Sequence, residues 1–307
     1  MSDIILHHYP ASPVSEKVRV ALGIKALAWR SVEIPRLPPK PDVMPLTGGY
    51  RRTPIMQIGA DIYCDSQCIL HELQRRHPEP TLFPGGAGGL PWGVGRWTDA
   101  LFDTAVRLSL GANADQLPEA FATDRVRLFL GPNGNLKALQ ADLPHYVAQL
   151  RAQFGWMDER LAGGRRYMLG DAPGMPDALC YYLVWFVRAR WQGGPALLSE
   201  FAALEAWEQR VKAIGHGQPS PMTSGEALDI ARASEPITQE RADPRDPQGL
   251  KPGLRVEVVP DLDSGEPAVQ GNVRSIERDR IAILREDPQV GRLCVHFPRV
   301  GYRIRVL

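Results

Sequence analysis

The chain has 307 residues, a formal net charge of +1, 23% charged and 44% hydrophobic residues, and four cysteines. That length supports two or three domains with a sizeable core, and the near-neutral charge argues against a molecule built to bind polyanions. The cysteines, at 64, 68, 180 and 294, are too few and too scattered for a disulfide framework, and Cys64 with Cys68 lacks a second Cys/His pair to complete a metal site, so no metal is expected.

The start, "MSDIILHHYP", has neither the basic opening nor the long apolar run of a secretory leader. No segment approaches the ~18 apolar residues of a membrane span, so a cytoplasmic protein with no membrane partner is expected. "IIL" (4–6) reads as a short buried strand, with His7 and His8 on opposite faces, both structural. A helix follows, with Ser12 as N-cap, Pro13 at its first position, and Val14, Val18, Ala21 and Leu22 as an apolar stripe.

"WRSVEI" (29–34) is a second strand, followed by the proline-rich loop "PRLPPKPDVMP". "TPIMQI" and "DIYC" form a hairpin turning at Gly59–Ala60, and "DSQCILHELQRRHP" is a helix capped by Ser66 and stopped by Pro78. From about residue 88 the periodicity is helical: Trp97, Leu101, Ala105 and Leu108 share one face, and Leu143, Val147, Leu150, Phe154, Met157 and Leu161 another. Leu179, Leu183 and Phe186 mark a further helix, and such stripes read as core. "EPITQERADPRDPQG" has linker composition, and residues 250–307 hold four or five short strands, a small barrel or compact meander. The expected domains are 1–84, 88–215 and 250–307, with 216–249 as linker.

"YPASPVSEKVRVAL", then "RRTPIMQIGADIYCDSQCILHEL" about forty residues later, then an all-helical half, resembles the serine-type cytosolic glutathione transferases over roughly residues 3–215. The first stretch is similar to that family's "S-P-F-S-x-K-V-R" helix start, the second to its glutathione-holding block. The resemblance implies a thioredoxin-like α/β N-terminal domain and an all-helical second domain. The small all-β, barrel-like module at the C-terminus lies outside the usual family pattern. The resemblance also implies an enzyme of detoxification type, a homodimer, with glutathione as co-substrate and a small-molecule electrophile as partner.

The physical logic agrees with that assignment. A helix N-terminus presents unpaired N–H groups and a positive dipole end, which favours a thiolate, the nucleophilic form. By the resemblance Ser12 is the thiol-activating residue. Ser15, where glutaredoxin-like relatives carry a second cysteine, and Tyr9, at the end of the first strand, are the alternatives. Thr53–Pro54 is implied to be a cis peptide, with Thr53 reading the cysteinyl backbone of glutathione. Asp65 and Ser66 stand where the family holds the γ-glutamyl end, Asp65 for its ammonium and Ser66 for its carboxylate; as a plain alternative the pair caps the helix. Arg52, or else Lys40, is placed at the glycine carboxylate. The family's helix-cap motif appears as "GMPD", with Gly174 in place of a hydroxyl residue and Asp177 present. The electrophile side would be lined near Trp97, Phe102 and Arg107.

Two other readings use the C-terminal module. One is a non-catalytic glutathione-binding regulator or scaffold that recruits a partner through it. The other is nucleic-acid binding through Arg299, Arg303 and Arg305 interleaved with Phe297 and Tyr302. Acidic residues at 257, 261, 263, 277, 279 and 287 leave no net basic patch, so nucleic acid is not expected.

Overall fold

The computed structural model describes residues 3–262 and 264–307. The chain divides into two compact units, one of residues 1–15, 28–75 and 218–307, the other of residues 16–27 and 76–217.

The first unit is built on one sheet. β1 (Ile5–His8), β2 (Ala28–Glu33), β3 (Ile55–Ile58) and β4 (Asp61–Cys64) form the order β4-β3-β1-β2, with β1–β2 parallel and the other pairs antiparallel. β1, β3 and β4 are buried throughout, as expected of strands covered on both faces. α1 (Pro13–Ile24) follows β1 and continues into the second unit; α2 (Met44–Thr47) precedes β3, and α3 (Ser66–Arg76) follows β4. The hairpin turns at Gly59, whose φ of 61° a side chain would resist.

The second unit is helical beyond the end of α1. It contains α4 (Leu90–Ala112), α5 (Glu119–Leu130), α6 (Leu136–Ala141), α7 (Leu143–Leu161), α8 (Met175–Arg190), α9 (Gly194–Leu198) and α10 (Ala202–Ile214). Its core is the apolar stripes read from the sequence: Leu101, Ala105 and Leu108, then Leu150, Phe154, Met157 and Leu161, then Leu179 and Leu183. On α7 the buried residue of the first turn is Tyr146, and Val147 is only half-buried. Asp177 organises the start of α8. Its Oδ2 accepts from Gly174 N–H, while Oδ1 accepts from Met168 N–H and from Trp207 Nε1–H on α10. The carboxylate thus performs one half of a capping box, although glycine replaces the reciprocal hydroxyl.

Residues 216–249, read as a linker, contain β5 (Gln218–Pro221) and α11 (Ser224–Arg232), the latter closed by a Thr223–Glu226 capping box. β5 pairs in parallel with β2. The all-β segment then supplies β6 (Arg255–Pro260), β7 (Val269–Ile276), β8 (Arg280–Asp287), β9 (Gly291–Pro298) and β10 (Tyr302–Val306), five strands in the places their alternation predicts. They run antiparallel as a meander, with a register shift between Val273 and Ser275 on β7.

The meander continues the first sheet. β9 lies parallel to β4, pairing Asp61 with Cys294 and Tyr63 with His296, so ten strands form the order β10-β6-β7-β8-β9-β4-β3-β1-β2-β5. An exposed strand edge is a template for unwanted pairing, and here both edges of the four-stranded sheet are covered. The new edge at β5 carries Pro219 and Pro221, which donate no ladder bonds. One apolar core runs through the unit: Ile5, Val32, Ile55 and Ile62 belong to the same buried cluster as Ala227 and Leu228 of α11 and Val256, Ile281, Val295 and Phe297 of the meander.

Candidate glutathione site

Strand register brings the predicted residues to one end of the sheet. Ile55 pairs with His7 on one side and with Cys64 on the other. The residues that follow His8, those that precede Ile55 and those that follow Cys64 therefore share one end. They are Tyr9 to Ser15, Arg52 to Pro54, and Asp65 with Ser66.

Ser12 N–H donates to Tyr9 O at 3.0 Å, which turns the chain into α1. Ser12 Oγ accepts from Ser15 N–H at 3.2 Å and from Ser15 Oγ–H at 2.9 Å. The first of these is an N-cap bond. Both leave the Ser12 hydroxyl proton unspent, and its side chain lies in a buried position with 2% residual exposure. A proton directed by two accepted bonds is what an anion at this helix end would use. Ser15 is fully buried and acts here through Ser12. Tyr9 is half-buried, its ring under the Arg36 guanidinium at 5.8 Å.

The Thr53–Pro54 peptide is cis. Thr53 Oγ1 accepts from Lys40 Nζ at 2.8 Å, and the same ammonium donates to Arg51 O at 2.9 Å. Lys40 is buried and ties the proline-rich loop to the strand approach, rather than standing as a surface base. Asp65 adopts a φ of 75°, uncommon outside glycine and tolerated by Asp. Its Oδ1 accepts from Gln67 N–H at 2.8 Å, so Asp65, not Ser66, caps α3; Ser66 is the buried first residue of the helix.

Three residues of the C-terminal segment reach this end of the sheet, and nothing in the local sequence announces them. Tyr302 O–H donates to Asp65 Oδ2 at 3.0 Å. Glu266 Oε2 accepts from Arg52 Nε at 2.7 Å and Nη2 at 2.5 Å. Ser264 Oγ donates to the same oxygen at 2.6 Å and accepts from Arg52 Nη2 at 3.1 Å. Burial works against the Arg52 charge, but the Glu266 carboxylate outweighs it and raises the guanidinium pKa further. Burial raises the Tyr302 and Tyr50 phenols well above their ordinary value, so both stay neutral.

The four thiols are free and buried, and burial pushes each upward in pKa, the opposite of what a redox or nucleophilic cysteine needs. Asp61, Cys294 and His296 offer donor atoms within 4.8 Å of one another at the β4–β9 seam. Their spacing is that of direct hydrogen bonds: Asp61 Oδ1 lies 2.8 Å from His296 Nε2 and 2.5 Å from Thr238 Oγ1, and Oδ2 accepts from Ile237 N–H. Burial alone would raise the Asp61 carboxyl, but these bonds and the His296 charge hold it below its ordinary value.

In the second unit, Phe102 packs against Tyr182 and Phe186 at 5.4 Å, Arg107 pairs with Asp103 at 2.7 Å, and Trp97 Nε1 donates to Gln153. Phe297 and Tyr302 are buried, and Arg299, Arg303 and Arg305 pair with Asp246, Asp261 and Glu257. Those residues do not form a base-stacking surface.

Family models agree with the geometry. Residues 6–81 match the Glutathione S-transferase N-terminal domain and residues 137–210 the Glutathione S-transferase C-terminal domain. A GST-like protein from Pseudomonas syringae is 32% identical over 100% of both chains, with a TM-score of 0.78. The chain belongs to the glutathione S-transferase family. Two further structures share the transferase fold at lower identity. A glutathione S-transferase from Rhodospirillum rubrum is 18% identical, covers 68% of this chain and 88% of its own, and has a TM-score of 0.52. A glutathione transferase family member from Pseudomonas fluorescens, solved with two glutathione bound, is 14% identical over 68% of this chain and 88% of its own, with a TM-score of 0.53. No curated protein matches. The transferase-like protein from Pseudomonas syringae spans the whole chain, whereas these two cover about two thirds of it. Among the described residues no helix is long and apolar enough to cross a membrane.

Proposed function

We propose that the chain is a cytoplasmic, homodimeric glutathione transferase that activates the glutathione thiol at Ser12 for attack on a small electrophile. The observation that carries this reading is the shared register of His7, Ile55 and Cys64, which sets Ser12, the cis-Pro54 peptide and the Asp65–Ser66 step at one sheet end. Glutathione as co-substrate supplies the sulfur nucleophile. Ser12 donates its hydroxyl proton to the sulfur as a hydrogen bond, and the α1 N-terminus adds its dipole. Lowering a thiol pKa by about two units needs roughly 2.7 kcal/mol of differential stabilisation, within reach of a charge-assisted hydrogen bond and a helix end together. The thiol proton leaves to solvent, the sulfur forms the new bond, and the electrophile's leaving group departs or its ring opens.

Ser12→Ala tests the assignment against an aryl halide, an epoxide and a peroxide. Turnover should fall at least about tenfold, the loss of one good hydrogen bond, with glutathione affinity by calorimetry within about twofold. Unchanged turnover removes Ser12 from the chemistry. A wild-type protein that binds glutathione and turns over nothing is the regulator or scaffold instead. Sedimentation of the full chain tests the dimer.

A further inference from the structure

We propose that Glu266 is a specificity-determining residue. It is a carboxylate of the chain itself, standing on Arg52 where a ligand carboxylate would go, so that the site selects a glutathione-type thiol whose glycine end is an uncharged hydrogen-bond donor. The inference rests on the glutathione reading above.

Arg52 is the guanidinium that the family pattern directs at the glycine carboxylate. Its Nε and Nη2 both donate to Glu266 Oε2, the bonds it would otherwise give a ligand acid. The Arg52 side chain is 31% exposed and open to a ligand, while that of Glu266 is 3% exposed and held by Ser264. Arg52 is therefore already neutralised, and an incoming carboxylate meets a fixed like charge beside it. A ligand acid that took the Nε and Nη2 donors would leave Glu266 buried without its countercharge, which is costly, and one that took Nη1 alone would meet a guanidinium whose charge is already matched.

A second observation gives the preference its direction. Glu266 Oε1 is buried and has no hydrogen-bond partner. A buried acceptor left unmet is an unfavourable arrangement that a donor relieves. A carboxamide N–H at the glycine end supplies a donor; a carboxylate supplies a second acceptor of the same charge. Pro267 stands 3.3 Å from where a side chain on Gly49 would begin, and Arg285 donates to Pro45 O beside Gly48.

The test is calorimetric titration of the full chain, and of Glu266→Gln, with reduced glutathione and with its glycine carboxamide. The wild type should bind the carboxamide at least about tenfold more tightly, equivalent to 1.4 kcal/mol. Glu266→Gln should bring the ratio to about one or invert it, chiefly by tightening glutathione itself. Wild-type protein that prefers glutathione over the carboxamide overturns the proposal, and so does a ratio that Glu266→Gln leaves unmoved. If that variant does not fold, the wild-type ratio alone decides. A folded wild type that binds neither thiol overturns the glutathione reading, and this inference falls with it.

Discussion

Tyr302, in the last strand, donates its hydroxyl to the Oδ2 of Asp65, 237 residues earlier, at 3.0 Å. The bond joins the appended meander to the residue whose left-handed backbone starts α3. With Glu266 on Arg52, it means that both charged groups expected to meet the ends of glutathione have partners from the C-terminal segment. The meander is thus a part of the transferase unit that reaches the candidate site, in the same sense that β9 is a part of its sheet.

Tyr302→Phe removes that donor and keeps the ring in the core with Tyr50 and Phe297. The expected cost is about 1.5–3 kcal/mol, the value of a hydrogen bond to a charged acceptor, read as a lower urea midpoint at unchanged slope. An unmoved midpoint would show that the strand-to-helix tie carries no net energy.

Ser15→Ala separates support from chemistry at the helix start. It deletes the hydroxyl that donates to Ser12 Oγ at 2.9 Å and keeps the backbone cap bond. Turnover should fall about fivefold, near 1 kcal/mol, with little change in glutathione affinity. In the Ser12→Ala background the same substitution should have no further kinetic effect, because its partner is gone. An additive loss would instead give Ser15 a direct role.

Asp177→Ala tests the α8 start. Three donors, Gly174 N–H, Met168 N–H and Trp207 Nε1–H, lose their acceptor together in a buried place. A loss of about 3–5 kcal/mol in denaturant unfolding is expected, since unmet buried donors keep their desolvation cost.

Local pattern made most of the fold legible. Strand alternation and helical stripes located the elements because each buries one face whatever its distant neighbours are. The Ser12 cap was legible because it depends on residues within a turn, whereas the cis-Pro54 bond and the Asp65–Ser66 step were reached only through the family resemblance. What was not legible is pairing across the chain. The parallel β4–β9 seam leaves no mark in either strand beyond being apolar, and linker-like composition over 216–249 hid β5 and α11. Lys40 could be offered as an alternative to Arg52 at the glycine carboxylate because nothing local shows that it is buried on Arg51 O and Thr53 Oγ1. Glu266 and Tyr302 looked like loop and strand residues for the same reason: their partners are more than two hundred positions away.

That seam makes a claim about domain independence. Ile55 and Ile62 of the transferase sheet share one buried cluster with Val256, Ile281, Val295 and Phe297 of the meander. A chain ending at residue 249 would expose this apolar surface and the edge of β4. We expect it to be insoluble or to lack a cooperative thermal transition, whereas two independent domains would each melt cooperatively. A soluble, cooperatively folding 1–249 fragment would contradict the shared core.

His7 sets the acid limb of stability. Its Nε2–H donates to Gln57 Oε1 at 2.9 Å, while Gln57 Nε2 donates to Gly59 O and to Ala227 O, so the network fixes Nε2 as the protonated nitrogen. His7 Nδ1 is buried without a partner. Burial lowers the His7 pKa from 6.5 to about 4, against the weaker upward pulls of the Gln57 bond and the Asp42 charge. In the unfolded chain the ring returns to its ordinary value, so below about pH 6.5 the unfolded state binds the extra proton. Stability from this group is therefore full above that pH and drains away as pH falls to about 4, where it is gone. The whole window is worth ~3 kcal/mol at 1.36 kcal/mol per pKa unit. The depressed carboxyls of Asp61 and Glu16 lose their contributions at more acid pH, below the ordinary carboxylate value. Urea midpoints measured from pH 7 to pH 4 should fall steadily in the wild type. In His7→Gln, which keeps a donor and cannot titrate, that slope should flatten, even if the variant is less stable at pH 7. An equal slope in both proteins would assign the acid limb to some other group.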